Sequence, residues 1–189
     1  EDRFVADQGV TEALQRVLPL CDLIVGTEEE IHILGGSTDT LAALRAIRAN
    51  SSALLVCKRG AQGCVAFPDA VPASLDAGIV GRGFPIEVFN VLGAGDAFMA
   101  GFLRGWLKDM PLEKCCEIAN ACGALVVSRH GCAPAMASWD ELRHFLGGQW
   151  PHRLRESAEL EQLHWSTNRH GERDELTVLA IDHRSQFDD

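Results

Sequence analysis

Short apolar runs alternate with helical patterns over residues 22–67, and this alternation constrains the fold more than any other feature. Residues 53–57, Ala-Leu-Leu-Val-Cys, are apolar throughout and read as a continuous buried strand. Residues 22–26 read as another buried strand, after a short amphipathic helix at 10–18 that ends at Pro19. Between the two strands lie a helix at 28–34, closed by Gly35-Gly36, and a helix at 40–50. The second has Leu41, Leu44 and Ile47 on its apolar face and Ser37 or Thr38 as its cap. The turn from Gly60 to Gly63 leads into a strand at 64–67; a loop with one short strand is expected over 68–83, and a further strand at 86–89. Long helices follow at 94–107 and 112–128, the second opened by Pro111. Ser138-Trp-Asp-Glu141 reads as a capping box for a helix at 139–146. Strands alternating with helices predict an α/β fold on a mostly parallel sheet.

Chemistry concentrates in Asn90-Val-Leu-Gly-Ala-Gly-Asp-Ala-Phe-Met-Ala-Gly-Phe102, where a strand runs through small residues into an apolar helix. Glycines there let the backbone approach a ligand closely, so that amide N–H groups at the helix start converge on one point. The helix dipole adds partial positive charge. Gly93, Ala94 and Gly95 thus form a candidate anion hole for a phosphoryl group, with Asp96 at its edge to take a proton from an attacking alcohol. Spacing alone equally allows a tight turn with Asp96 merely complementing the dipole. Neither G-x-x-x-x-G-K-[ST] nor G-x-G-x-x-G occurs.

Composition excludes several classes. A net charge of −10 leaves no electrostatic footprint for nucleic acid and suits an anionic membrane poorly. No apolar run reaches membrane-spanning length. Seven cysteines without a C-x-x-C pair argue against zinc and against a disulfide framework, and point to reduced thiols in a cytoplasm. The seven histidines show no metal spacing and are expected at the surface or satisfied inside.

G-A-G-D-A-F-x-x-G-F at 93–102 resembles the C-terminal signature of the ribokinase-like (phosphofructokinase-B type) carbohydrate kinases. Further matches run from Asp22 to about Leu146. Lys58-Arg-Gly-Ala-Gln-Gly63 resembles the family's nucleotide-binding turn, and Thr27-Glu-Glu-Glu30 its N-x-x-E, with Thr27 in place of Asn. Residues 120–125, Ser128-Arg-His-Gly131 and Pro134 resemble the helix and loop beside the adenine and a monovalent cation. The resemblance implies a three-layer α/β/α fold of which this chain is the nucleotide-binding, C-terminal part. It implies ATP and Mg²⁺, with Asp96 as catalytic base, Lys58, Gly60, Gly63 and Asn120 at the nucleotide, and Glu30 on the metal through water. Asn90-Val91 stand where the family has Asp-Thr, which removes a carboxylate from the monovalent-cation site.

Residues 89–106 are similar to the branch that phosphorylates 5-dehydro-2-deoxygluconate to its 6-phosphate in myo-inositol catabolism. Fructose, ribose, a nucleoside and 2-keto-3-deoxygluconate are alternative substrates, and a non-catalytic nucleotide-binding domain is the alternative from another class. Expected partners are a small sugar acid and ATP, with self-association open, and no nucleic acid or membrane. Three parts are expected: 1–150 as the C-terminal part of the kinase domain, 151–174 as a linker, and 175–189 as the start of an aldolase-like barrel. Both ends read as cut from a longer protein. The sugar-binding half implied by the resemblance is outside this chain, so the piece alone is expected to bind nucleotide weakly and to phosphorylate nothing.

Overall fold

The computed structural model describes residues 8–167. Its elements are α1 (Gln8–Gln15), β1 (Leu23–Thr27), α2 (Glu28–Gly35), α3 (Thr40–Asn50), β2 (Leu54–Lys58), β3 (Cys64–Phe67), β4 (Ile79–Gly81), α4 (Ala94–Trp106), α5 (Leu112–Val127), α6 (Trp139–Gly147) and α7 (Ala158–Thr167). The strands form one sheet in the order β1-β2-β3-β4.

Residues 54–57 are buried throughout, and their alternation feeds two cores. Leu55 and Cys57 pack with Ile31 of α2 and with Ala43, Leu44 and Ile47 of α3. Leu54 and Val56 pack with Phe98 and Phe102 of α4 and with Cys115, Cys116 and Ala119 of α5. Successive strand side chains point to opposite faces, so an unbroken apolar run needs helices on both sides, and this sheet has them. The expected three layers are present.

The sheet is less parallel than expected. β1 and β2 are parallel, with Thr27 opposite Lys58, but β2–β3 and β3–β4 are antiparallel. The five residues between β2 and β3 can close a hairpin and are too few for a crossover. The strand expected at 86–89 does not join the sheet. Its backbone is satisfied elsewhere: Glu87 N–H donates to His152 O at 2.6 Å, and Phe89 and Asn90 N–H donate to Val127 O at 2.7 and 3.0 Å.

Two caps also differ. Asp39, not Ser37 or Thr38, caps α3, its Oδ1 accepting from Ala42 N–H at 2.6 Å. Ser138 caps α6 by accepting from Glu141 N–H at 3.2 Å, but Glu141 points its carboxylate inward, to Arg129 and His164, and does not complete a box. Beyond α6, Leu154 and Leu160 join the core built by Leu125, Leu142 and Phe145, so α7 packs on the rest of the molecule. No helix among the described residues is long and apolar enough to cross a membrane. The expected start of an aldolase-like barrel at 175–189 lies outside the described residues.

Candidate active site

β1 and β2 run parallel and end side by side, at Thr27 and Lys58. In α/β folds the crevice beyond such carboxyl ends is where ligands bind. Thr27 caps α2 through a reciprocal box: its Oγ1 accepts from Glu30 N–H at 3.2 Å, and Glu30 Oε2 accepts from Thr27 N–H at 2.6 Å. Threonine is a regular residue of such boxes. Glu30 Oε2 also faces Lys58 Nζ at 3.6 Å. Partial burial works to raise the Glu30 pKa, but the Thr27 amide and the Lys58 charge outweigh it and hold the carboxyl below its ordinary range. Since both contacts use Oε2, Oε1 is left for water.

The first turn of α4 closes the site from the other side. Gly93 is the N-cap at φ 84°, and a side chain there would come within 2.5 Å of Cys132 Sγ, so only glycine fits. Ala94 N–H is spent on Val91 O at 3.2 Å. The N–H groups of Gly95 and Asp96 have no protein acceptor among the described residues. Gly93 N–H likewise meets no acceptor among the described residues, so of the expected anion hole only the Ala94 amide is spent, and Gly93, Gly95 and Asp96 keep theirs at the positive end of a 13-residue helix. Lys58 Nζ lies 3.6 Å from where a Gly95 side-chain carbon would stand, which sets an ammonium beside them. The Asp96 side chain is exposed, with no ion-pair or hydrogen-bond partner among the described residues.

Next to this turn is a cavity of about 280 Å³. Lys58, Gly60, Gly63, Ala94, Gly95 and Asn120 line it, together with an apolar wall that includes Phe84, Ile86, Val88 and Val127. A flat, weakly polar group fits such a slot. Gly93, Asp96 and Glu30 are not in the lining; Asp96 follows Gly95 just outside it. Gly63 holds φ 89°, and a side-chain carbon there would fall 2.0 Å from Gly81 O, so its first role is to let β3 meet β4. Asn120 is likewise committed to structure, its Nδ2 donating to Gly81 O at 3.0 Å and Arg82 O at 3.2 Å. A wider groove of about 550 Å³ lies between residues 80–84 and 111–117, but Lys114 and Glu117 there pair with each other and offer no converged charge.

No group of three or more His, Cys, Asp or Glu side chains fit to hold a metal ion occurs among the described residues. A hard cation held here would draw on ligand oxygens and water, and Glu30 Oε1, which takes no bond among the described residues, could receive such a water.

A family model described as pfkB family carbohydrate kinase matches residues 2–139. The chain belongs to this family. Among curated relatives, the 5-dehydro-2-deoxygluconokinase of Lacticaseibacillus casei is 32% identical over 157 residues, covering 80% of this chain and 43% of the relative. The 5-dehydro-2-deoxygluconokinase of Geobacillus kaustophilus is 30% identical, with 67% and 37% covered. The fructokinase of Vibrio alginolyticus is 28% identical, with 77% and 48% covered. The chain thus spans less than half the length of these relatives. Among solved structures, the fructokinase of Vibrio cholerae O395 in its fructose-, ADP- and calcium-bound form is 28% identical, with a TM-score of 0.64 over 74% of this chain and 45% of that one. Arabidopsis thaliana ribokinase, complexed with ribose and ATP, gives a TM-score of 0.63 at 23% identity, covering 71% and 44%; it shares the ribokinase-like fold. A second model, described as an uncharacterized protein conserved in bacteria, matches residues 141–189.

Two features of the site escaped the sequence. Most of the apolar wall comes from residues 84–91, within which 86–89 read as a strand. The buried cluster of Arg129, Glu141 and His164 behind the 131–134 loop had no signal beyond a helix-start motif at Ser138.

Proposed function

We propose that this chain is the nucleotide-binding part of an enzyme that transfers the γ-phosphoryl group of MgATP to a hydroxyl of a sugar or sugar acid. The observation that carries it is the pair of unspent amides at Gly95 and Asp96, with the Lys58 ammonium on one side and a free carboxylate on the other. The base of ATP enters the apolar cavity, and its phosphates run past the Lys58 to Gly63 turn toward α4. A hydroxyl held over Asp96 attacks the γ-phosphorus in line: its oxygen forms the new O–P bond, its proton passes to the Asp96 carboxylate, and the bridging bond to ADP breaks. Gly95 and Asp96 amides and Lys58 stabilise the charge spreading over the phosphoryl oxygens. Mg²⁺ on the phosphates would supply further neutralisation, with Glu30 reaching it through water.

For the acceptor we propose the 6-hydroxyl of 5-dehydro-2-deoxygluconate, supported by relatives of that name at 30% and 32% identity. Fructose is the second reading, supported by the fructokinase of V. alginolyticus at 28%. A cytoplasmic setting suits the seven unpaired thiols. The deciding experiment is Asp96→Asn in the full-length protein, assayed for ADP release over a panel of sugar acids and sugars. Turnover should fall by about 10²–10⁴-fold with nucleotide affinity kept. Undiminished turnover would remove Asp96 as the base.

A further inference from the structure

Residues 141–167 lie beyond the pfkB match, which ends at 139, yet they reach back toward the anion-binding turn. Arg129, just past α5, is 9% exposed, Glu141 on α6 is 0% and His164 on α7 is 1%. The Arg129 guanidinium meets Glu141 Oε1 through Nη2 at 2.5 Å and Glu161 Oε1 through Nε at 2.9 Å. His164 Nε2–H donates to Pro134 O at 2.8 Å. Its Nδ1 faces Glu141 Oε2 at 2.9 Å and Arg129 Nη1 at 3.2 Å. Burying ions costs several kcal/mol each before their attraction offsets it, and an apolar plug often serves stability equally well. A cluster this costly calls for a function in what it holds.

What it holds is the loop at 131–134. Pro134 O is the acceptor for His164. Gly131 O accepts from Asn90 Nδ2 at 3.3 Å, while Asn90 Oδ1 accepts from Leu92 N–H at 3.1 Å. Cys132 Sγ abuts Gly93, the N-cap of α4. One short loop therefore has α7 behind it and the catalytic turn in front.

We propose that Glu141 and His164 are positioning residues for phosphoryl transfer. They fix the 131–134 loop, and through Asn90 and Gly93 they aim the Gly95 and Asp96 amides, touching neither nucleotide nor sugar. The proposal rests on the reading of α4 as the transfer site. Since misplacement by about an ångström can cost a hundredfold in rate, the effect belongs in kcat.

The test uses the full-length protein, with His164→Phe to keep volume while losing the Pro134 bond, and His164→Gln to restore a donor. His164→Phe should lower kcat about tenfold or more, with KM for ATP moving by less than about twofold. His164→Gln should recover most of that loss. Should His164→Phe not fold, Asn90→Ala probes the same loop from its front and should show the same loss confined to kcat. Folded variants with a lower Tm but unchanged kcat would reduce the cluster to a purely structural role and overturn the proposal. Asp96→Asn is run alongside: if it keeps full turnover, the transfer-site reading itself has failed, whereas its collapse beside an unaffected His164→Phe defeats this inference alone.

Discussion

Lys58 Nζ stands 3.6 Å from Glu30 Oε2 and equally close to the position a Gly95 side-chain carbon would take, so a single ammonium joins the end of β2 to the starts of α2 and α4. Two strands ending in parallel register make this meeting point, because Thr27, the cap that holds Glu30, lies opposite Lys58. If the ammonium meets phosphate, Lys58→Met in the full-length protein should weaken ATP binding by roughly 10–100-fold, the range for a hydrogen bond to a charged group. Adenosine binding should hardly change. Calorimetry with both ligands separates the two, and an equal loss for both would place Lys58 away from the phosphates.

Glu30 carries a pH consequence. Its folded pKa lies below the ordinary value of 4.5, so its contribution to stability is present above that value and is lost as pH falls through the folded one. Its side chain is 60% exposed, which limits the effect to under about 1 kcal/mol. Glu30→Gln should lower the denaturation midpoint slightly near neutrality and converge with the parent curve in acid, so that its acid limb below about pH 4.5 is flatter.

Gly93 and Gly95 should respond to alanine in opposite ways. Gly93→Ala forces a side chain onto φ 84° and toward Cys132 Sγ, costing roughly 1–2 kcal/mol in backbone conformation alone before the contact is counted. At Gly95 the added methyl meets Lys58 Nζ at an ordinary 3.6 Å. Stability there should hold or rise by up to about 1 kcal/mol, as helix propensity favours alanine, while KM for ATP should increase if the proposed phosphate site lies against the Gly95 amide. Thermal melts and ATP kinetics on both variants check the pair. A Gly93→Ala protein as stable as the parent would contradict the strained N-cap.

Asn120→Leu should act on stability. It strips Gly81 O and Arg82 O of a buried donor, worth about 1–3 kcal/mol, and frees the end of β4 beside the cavity. The expected result is a lower denaturation midpoint with kcat nearly intact. A selective loss of kcat would assign the amide to the reaction.

Thiol labelling tests the core. Burial first, then the Glu28 charge, pushes the Cys57 thiol up to about 12, and burial followed by Glu141 pushes Cys122 up to about 11. At pH 8 about one Cys57 in ten thousand is thiolate, so the native protein should label at the partly exposed Cys21 and Cys132 long before Cys57. Rapid alkylation of Cys57 under native conditions would mean that the sheet opens far more readily than its packing suggests.

Residue type and spacing alone determined the strand–helix alternation and the turn at 93–96, because each rests on local periodicity or on a short glycine-bearing run, while the family came from the resemblance of residues 93–102 and the segments around them. β2 was legible because an apolar residue at every position from 54 to 57, in a run short for a helix and followed by the glycine turn at 60–63, suits a strand covered on both faces. Tertiary structure decided the rest. Residues 86–89 have a strand's composition, yet Val127 O and His152 O take their amides before any neighbouring strand can. Glu141 carries a capping box's spacing, yet a buried guanidinium and imidazole draw its carboxylate inward. Which loop holds the helix start depends on partners 30 and 41 residues apart in the chain. Hydrogen bonds and charges are satisfied by whatever the folded chain brings within reach, and no local pattern records that.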